Sequence, residues 1–560
     1  MSQSLQKALK VFCGYLKGGN KEMKIRKNLA LIGVALVGVF AFAACGNRNE
    51  EPEATPPPVN GGGAPTTPGG EPTPGRTIAQ GGDLEVSIMS MPVSLMLNRN
   101  DSASAQFNKQ VFDTLIHLYY SATDASLRPT PGLAESWEVV DPQTVNMTLR
   151  SGVLFHNGAP LTARDVEFSL MRAAVCPEAS VVSSMIESVT VHDDLNFTIH
   201  LNIPFVPFIN NLGHTIMGIL HMDSYLEDPL TPIGTGAFKF DYYVIAEYVR
   251  LSRWDQFWGT PAHVDTLTFR SIPASDIRII EANAGNVHIG MDIQAPDITF
   301  AESSTTATTL RRDNLSMNYV GFNMQPGSPF EDARVRRAVN YAIDVQAIID
   351  LALHGLGRPL QGVPLSDVNA DFAPGIVEPM GYNVARAREL MAEAGHEAGF
   401  EANIWYNTGN VVRGTIATMM QFQLAEIGIR LNIQSFEWET YLDMTGNFEH
   451  DMFLLGWVSV VGDMDYALHP LFHSSNIGPA GNRFPINSAR LDDVLDRARI
   501  ETNAQQRTQL YHEALRLLDE YLPMALLNQG EFAIQVYNGV GGFVINPAGH
   551  HDFSRVFFYE

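Results

Sequence analysis

Beyond residue 77 this chain has a single cysteine, Cys176; the other two, Cys13 and Cys45, precede it. A disulfide inside the body is therefore excluded, and stability must come from the size of the core. Beside Pro177, Cys176 reads as a small packing residue rather than a nucleophile. Catalytic signatures are missing too: there is no G-x-x-x-x-G-K-[ST], no G-x-S-x-G, no H-E-x-x-H and no C-x-x-C. Support for nucleotide hydrolysis, serine hydrolysis and zinc-protease chemistry goes with them, and the chain reads as a non-enzyme without a cofactor. Basic charge is scarce, with 37 Lys and Arg against 61 Asp and Glu and a net charge of −24 over 560 residues. The first forty-four residues hold seven of the basic and one of the acidic residues, so the remainder carries 30 minus 60, or −30. That sign opposes phosphate backbones and excludes nucleic acid as a partner.

One apolar run stands out. Leu29 to Ala44 is sixteen residues without a charge, preceded by M-K-I-R-K-N from Met23 and followed by Cys45-Gly46. It falls short of the ~20 residues that span a bilayer and has the grammar of a signal peptide over 1–44, with Met23 as an alternative start. Small residues ending in cysteine resemble a bacterial lipoprotein box, with Phe42 where leucine is commoner. That resemblance implies lipidation of Cys45 and a membrane anchor. Gly46 to Thr77 holds eight prolines, seven glycines and no aromatic residue. Such a segment cannot bury a core, so 45–77 is expected to be a disordered linker.

The body, from about Ile78 to Glu560, interleaves helical and strand patterns without a fixed repeat, which predicts an α/β chain. Val145, Met147 and Leu149 alternate as in a half-buried strand, and Thr162 with Asp165 forms a capping box opening a helix. Helices are expected from Asp332 (Val335, Ala338, Val339, Ala342), from Asn383 to Gly395, over Ile416 to Ile427, over Ser488 to Ile500 and from Asn503 to Tyr521. Ile429, Leu431 and Ile433 then alternate as a strand. The R-V-R-R cluster at Arg334–Arg337 reads as a solvated or ion-paired helix face. His469 and His473 stand four apart, a metal-chelating spacing on a helix, but Pro470 lies between them and ordinary polarity is the preferred reading; the same holds for His550-His551-Asp552.

The run L-R-S-G-V-L-F-H-N-G-A-P-L-T-A-R-D-V at 149–166 resembles the signature of bacterial extracellular solute-binding proteins of family 5, the oligopeptide, dipeptide and nickel branch. G-L-A-E-S-W at Gly132, P-I-G-T-G-A-F-K at Pro232, Y-V-G-F-N at Tyr319, D-A-R-V-R-R-A-V-N-Y-A-I-D at Asp332, A-R-E-L-M-A-E-A-G at Ala387 and G-W at Gly456 follow in the family's order. Without the resemblance, Gly234-Thr235-Gly236 is a tight turn or a close backbone approach.

The resemblance implies a two-lobed, periplasmic-binding-protein-like clamp with an extra subdomain in its first lobe. Lobe I would combine 78–105, 232–318 and 530–560, the extra subdomain 106–231, and lobe II 319–529. The chain would cross the hinge near Tyr319–Asn323 and Leu526–Phe532. A ligand enclosed between the lobes would stabilise the closed form, which docks on an ABC permease served by a separate ATPase. The resemblance also implies a monomer, lipid-anchored on the outer face of the plasma membrane or in the periplasm.

Short peptides are the expected cargo. Several peptide binders of the family hold the ligand's amine with an aspartate three residues after the G-W tryptophan. Val460 occupies that place here, leaving Asp463 or Asp465 as substitutes. Trp457 is expected as a cleft wall, Tyr406, Asn407 and Arg413 as a segment reaching the cleft with Arg413 available to a carboxylate, and Trp438 and Tyr441 as further lining. An oligosaccharide or other uncharged solute stacked on those rings remains open, as does a ligand-sensing lipoprotein not coupled to transport.

Overall fold

The computed structural model describes residues 76–560 apart from 93, 100, 122–125, 370–374, 459–460 and 479–480. The expected signal peptide, Met23, Cys45, nearly all of the linker, and Val460 lie outside the described residues. Among the described residues no helix is long and apolar enough to cross a membrane.

An eleven-stranded sheet runs through the molecule. In spatial order ten of its strands are Ile429–Phe436, Phe400–Asn407, Met452–Val458, Ala307–Phe322, Met524–Tyr537, Ile289–Gly290, Asp83–Ile88, Thr266–Ser271, Tyr248–Arg253 and Phe238–Val244. The eleventh, Arg358–Pro359, pairs with Met524–Tyr537 off this path. Two strands are far longer than the rest, the 16-residue Ala307–Phe322 and the 14-residue Met524–Tyr537, and they pair antiparallel along most of their length. The first half of Ala307–Phe322 and the second half of Met524–Tyr537 build one side of the sheet, with Ala307 opposite Tyr537 and Asp313 opposite Glu531; the remaining halves build the other, with Met317 opposite Gln529 and Gly321 opposite Met524.

The register breaks between Asp313 and Met317. There Asn314 Oδ1 accepts from Ser316 N at 2.8 Å and Ser316 Oγ at 2.6 Å, turning the strand on itself. Gly530 lies opposite, where an added Cβ would sit 2.0 Å from Ser316 Oγ and 2.7 Å from Asn314 Oδ1. An irregular strand pair between two regular ones is where a sheet bends. Gly530 falls within the expected Leu526–Phe532 crossing, whereas the break on the other strand lies upstream of Tyr319–Asn323.

Each expected element forms where its pattern lies. The strand Thr144–Leu149 buries Val145, Met147 and Leu149 and exposes Asn146. It joins a four-stranded antiparallel sheet with Ala134–Asp141, Asn196–Leu201 and Ile186–Val191. The Thr162–Asp165 capping box is present at the head of the helix Ala163–Ala173, which packs on that sheet. Asp332, Asn383, Ser488 and Asn503 each accept a first-turn backbone N–H and cap Ala333–Ala342, Val384–Glu393, Ala489–Ile500 and Ala504–Tyr521. The Ile416 helix begins five residues earlier than its apolar pattern, at Val411, because Asn410 caps it. Gly234 and Gly236 prove to be a close approach: a Cβ would lie 2.0 Å from Val111 O and 2.3 Å from Gln110 O.

One reading is corrected. In R-V-R-R, Arg334 is exposed and bound to Asp332, but Arg336 is only 3% exposed. Its guanidinium donates to the carbonyls of Phe330, Glu331, Tyr521 and Leu522, tying the helix start to the end of Ala504–Tyr521. Burial lowers its pKa to about 10, with Asp332 opposing.

Separate apolar clusters fill the two sides, one around Val86, Phe238, Leu251 and Phe269, the other around Phe322, Val339, Ile404 and Met420. The largest cluster is continuous from the four-stranded subdomain (Leu149, Phe197, Phe208) into the second side (Tyr319, Trp457, Leu495). Direct hydrogen bonds join them as well: Asn210 Nδ2 donates to Val461 O at 3.0 Å and Val206 N to Arg499 O at 3.0 Å. The clamp is shut.

Candidate functional site

The expected site residues fall into two neighbouring groups on the second side, the later of which meets the subdomain through Val461 and Arg499. The first gathers around Arg413, in the opening turn of the helix Val411–Ala425, where Asn410 accepts its backbone N–H at 2.9 Å. Its side chain turns inward, and the residue is 5% exposed. Nη1 donates to Asn407 Oδ1 at 2.7 Å, at the end of the strand Phe400–Asn407. Burial lowers the Arg413 pKa, and the phenols of Tyr441 and Tyr319 oppose that. Tyr441 is fully buried with its hydroxyl on Leu454 O at 2.6 Å, and burial raises its pKa. Trp438, half-buried one turn earlier, stacks on Tyr441 with ring centroids 6.1 Å apart. Tyr406 lies against the same helix, its hydroxyl 3.1 Å from where a Cβ on Gly414 would be.

The second group follows Gly456, whose own Cβ position is 3.7 Å from Arg413 Nη2. Trp457, 8% exposed, donates its indole N–H to Tyr466 O at 3.2 Å. That bond has a local cause. In the helix Met464–Phe472 the residue four after Tyr466 is Pro470, which has no N–H to give, so the Tyr466 carbonyl is left for Trp457.

Asp463 caps this helix through Asp465 N at 2.9 Å and is ion-paired with Arg507, both residues being at most 2% exposed. Burial pulls the Arg507 pKa down, but Asp463, with Tyr511 and Asp465 adding to it, outweighs that and the net shift is upward. Asp465 holds Arg499 by both oxygens, at 2.8 and 3.0 Å. Neither carboxylate is presented without a cation, so an amine arriving at either would have to displace a guanidinium.

Several residues here had no sequence signal. Arg499 and Arg507 lie on helices whose apolar stripes were legible, but their carboxylate partners are 34 and 44 positions away. Tyr319 was legible only as part of Y-V-G-F-N; it is fully buried, and its hydroxyl has no hydrogen-bond partner. Arg483 joins the same group, donating to Leu442 O at 2.7 Å, with burial lowering its pKa against Tyr319 and Tyr441. Beside the strand break lies a cavity of about 330 Å³ lined by Tyr120, Arg311, Arg312, Asp313, Arg358 and Glu531 among others.

The profile of "Bacterial extracellular solute-binding proteins, family 5 Middle" matches residues 128–479, well over half of the chain. This chain belongs to that family. It is 26% identical over 529 residues to the dipeptide-binding protein of Escherichia coli (strain K12), covering 84% of this chain and 97% of the relative. It is 28% identical over 501 residues to heme-binding protein A of Haemophilus influenzae, covering 83% and 89%. Among solved structures, the periplasmic binding protein DppA from Helicobacter pylori in complex with peptide STSA superimposes with a TM-score of 0.72 at 25% identity, covering 86% of this chain and 99% of that one. The family 5 protein thus has the two-lobed periplasmic-binding-protein fold.

Proposed function

We propose that this protein captures short peptides between its lobes and delivers them to an ABC permease and its ATPase, and that Cys45 lipidation holds it on the outer face of the plasma membrane. The reading rests chiefly on Arg413, a cation buried on the second side of the sheet beside Gly456-Trp457. A guanidinium held by Asn407 in a dry site recognises a carboxylate by paired, charge-assisted hydrogen bonds. The ligand's carboxylate therefore makes the leading polar contact, with Trp438, Tyr441 and Tyr406 as walls. The similarity to a dipeptide-binding protein and to a structure holding a tetrapeptide supports peptides as the class. Similarity to a heme-binding protein supports a second reading, heme, whose carboxylates suit the same arginine.

Thermal-shift screening of ligand-stripped protein against one di- to pentapeptide library in free, N-acetylated and C-amidated forms, with hemin as a separate arm, tests this. Free and N-acetylated peptides should stabilise alike and C-amidated ones much less. Loss on N-acetylation would return the leading role to an amine partner, and a response to hemin alone would remove peptides.

A further inference from the structure

The helices Met464–Phe472 and Ala489–Ile500 pack against each other and run in opposite directions through a ladder of side-chain rungs. Asp465 and Arg499 form the first. One turn on, His469 Nε2 is 3.8 Å from Asp496 Oδ1. At the next, His473 Nε2 is 3.4 Å from Asp496 Oδ1 and 3.7 Å from Asp492 Oδ1. Pro470 does not break this arrangement: it sits inside the helix, and the two imidazoles stack with centroids 4.3 Å apart and planes 13° from parallel.

We propose that His469, His473 and Asp496 form a binding site for a zinc-class divalent ion, with Asp492 as an adjoining carboxylate. One ligand atom from each of the three residues lies within 4.8 Å of the others. Zinc holds nitrogen and oxygen ligands at about 2.0–2.2 Å in a tetrahedron, which puts ligand atoms about 3.4 Å from one another. The His473–Asp496 pair already has that spacing, the His469–Asp496 pair needs a shift of a few tenths of an ångström, and the two stacked rings must tilt towards each other for both Nε2 atoms to point at one ion. Two imidazoles and a carboxylate select zinc, nickel or cobalt over calcium and magnesium.

A second, independent observation points to a cation. His473 is 9% exposed, and its Nε2 has no hydrogen-bond partner although it faces two carboxylates. A buried polar atom left in that state is uncommon, and an ion between it and Asp496 satisfies both.

His473 Nδ1 accepts from Ser475 N at 3.1 Å and lies 2.7 Å from Ser475 Oγ. Asn476 Nδ2 lies 3.2 Å from His469 Nδ1 and donates to His469 O at 2.8 Å. Both Nδ1 atoms thus have neighbours of their own, and the Nε2 atoms are the ones turned to the carboxylates. Asp496 has a side chain 62% exposed, which gives the ion a path in and leaves room for water as a fourth ligand. The site fastens the helix pair whose Arg499 meets the subdomain, through Val206 N on its carbonyl and the Phe205 ring 5.2 Å from its guanidinium. It does not depend on what the cleft holds.

The test is calorimetric titration of the EDTA-stripped full chain with ZnCl2, with CoCl2 as a visible-absorption probe, on wild type, Asp496→Asn and His473→Gln. Asp496 is exposed enough for its variant to fold, which circular dichroism checks. The expected result is one saturable equivalent, tetrahedral cobalt absorption, a higher melting temperature with zinc, and affinity at least about tenfold weaker in each variant. No saturable uptake by the wild type, or equal affinity in wild type and both variants, overturns the proposal.

Discussion

Asp463 is the sharpest place to separate structure from ligand contact. Its carboxylate faces Arg507 in a site where both residues are at most 2% exposed, and it also accepts the Asp465 backbone N–H that starts the next helix. Asp463→Ala removes both the cap and the counter-ion, leaving a guanidinium buried without its carboxylate. Breaking a buried pair from one side costs about 3–5 kcal/mol. With an unfolding entropy of about 2.1 cal/mol/K per residue, some 480 folded residues give about 1 kcal/mol per degree, so the melting temperature should fall by about 3–5 °C. Asp463→Asn keeps a capping oxygen and should lose most but not all of that, since the charge is the larger part. Combining Asp463→Asn with Arg507→Met removes the stranded cation and should recover part of the loss. Differential scanning calorimetry of the four proteins measures this, alongside calorimetric peptide affinity, which should change little. An unchanged melting temperature together with collapsed peptide affinity would refute the reasoning and make Asp463 a ligand contact.

Other consequences are equally direct. Burial lowers the pKa values of His214, His550 and His551 to about 3, 4 and 3, with His550, Lys109 and His550 respectively adding repulsion. The unfolded chain therefore binds protons below about pH 6.5 that the folded one refuses. Stability falls as pH drops from about 6.5 towards 4, by up to about 1.4 kcal/mol per pH unit for each ring, and a urea midpoint flat between pH 7 and 5 would contradict this. Trp457→Phe should cost about 1–2 kcal/mol through the orphaned Tyr466 carbonyl, and adding Pro470→Ala, which supplies a helical N–H, should recover some of it in urea unfolding. Gly530→Ala should destabilise by about 1–3 kcal/mol through the Ser316 contact, with Ser316→Ala relieving part; equal midpoints for wild type and Gly530→Ala would remove the steric argument.

What could be read from the sequence and what could not divide along one line. Caps, helical stripes and strand alternation are local signals, and Thr162, Asp332, Asn383, Ser488 and Asn503 all act where their neighbours say they should. Long-range pairing of charges leaves no such trace. Asp463 and Arg507 are 44 positions apart, and periodicity shows which face of a helix is apolar without showing that a guanidinium such as Arg336 reaches back to four carbonyls. The strand break opposite Gly530 left no trace in the sequence because Asn314-Leu315-Ser316 looks like any polar interruption until its partner strand is in place. Pro470 misled in the other direction: read as a barrier between His469 and His473, it is accommodated because Trp457 takes the carbonyl it leaves.

The central claim is a hinged clamp that closes on a carboxylate-bearing peptide through Arg413. Small-angle scattering of ligand-stripped wild type and Arg413→Met, with and without a saturating library of free di- to pentapeptides, tests it most directly. Wild type should contract on peptide addition, and Arg413→Met should keep the dimensions of the stripped protein. Peptide uptake by calorimetry with no change in the wild-type radius of gyration, or equal contraction in the Arg413 variant, would contradict the account.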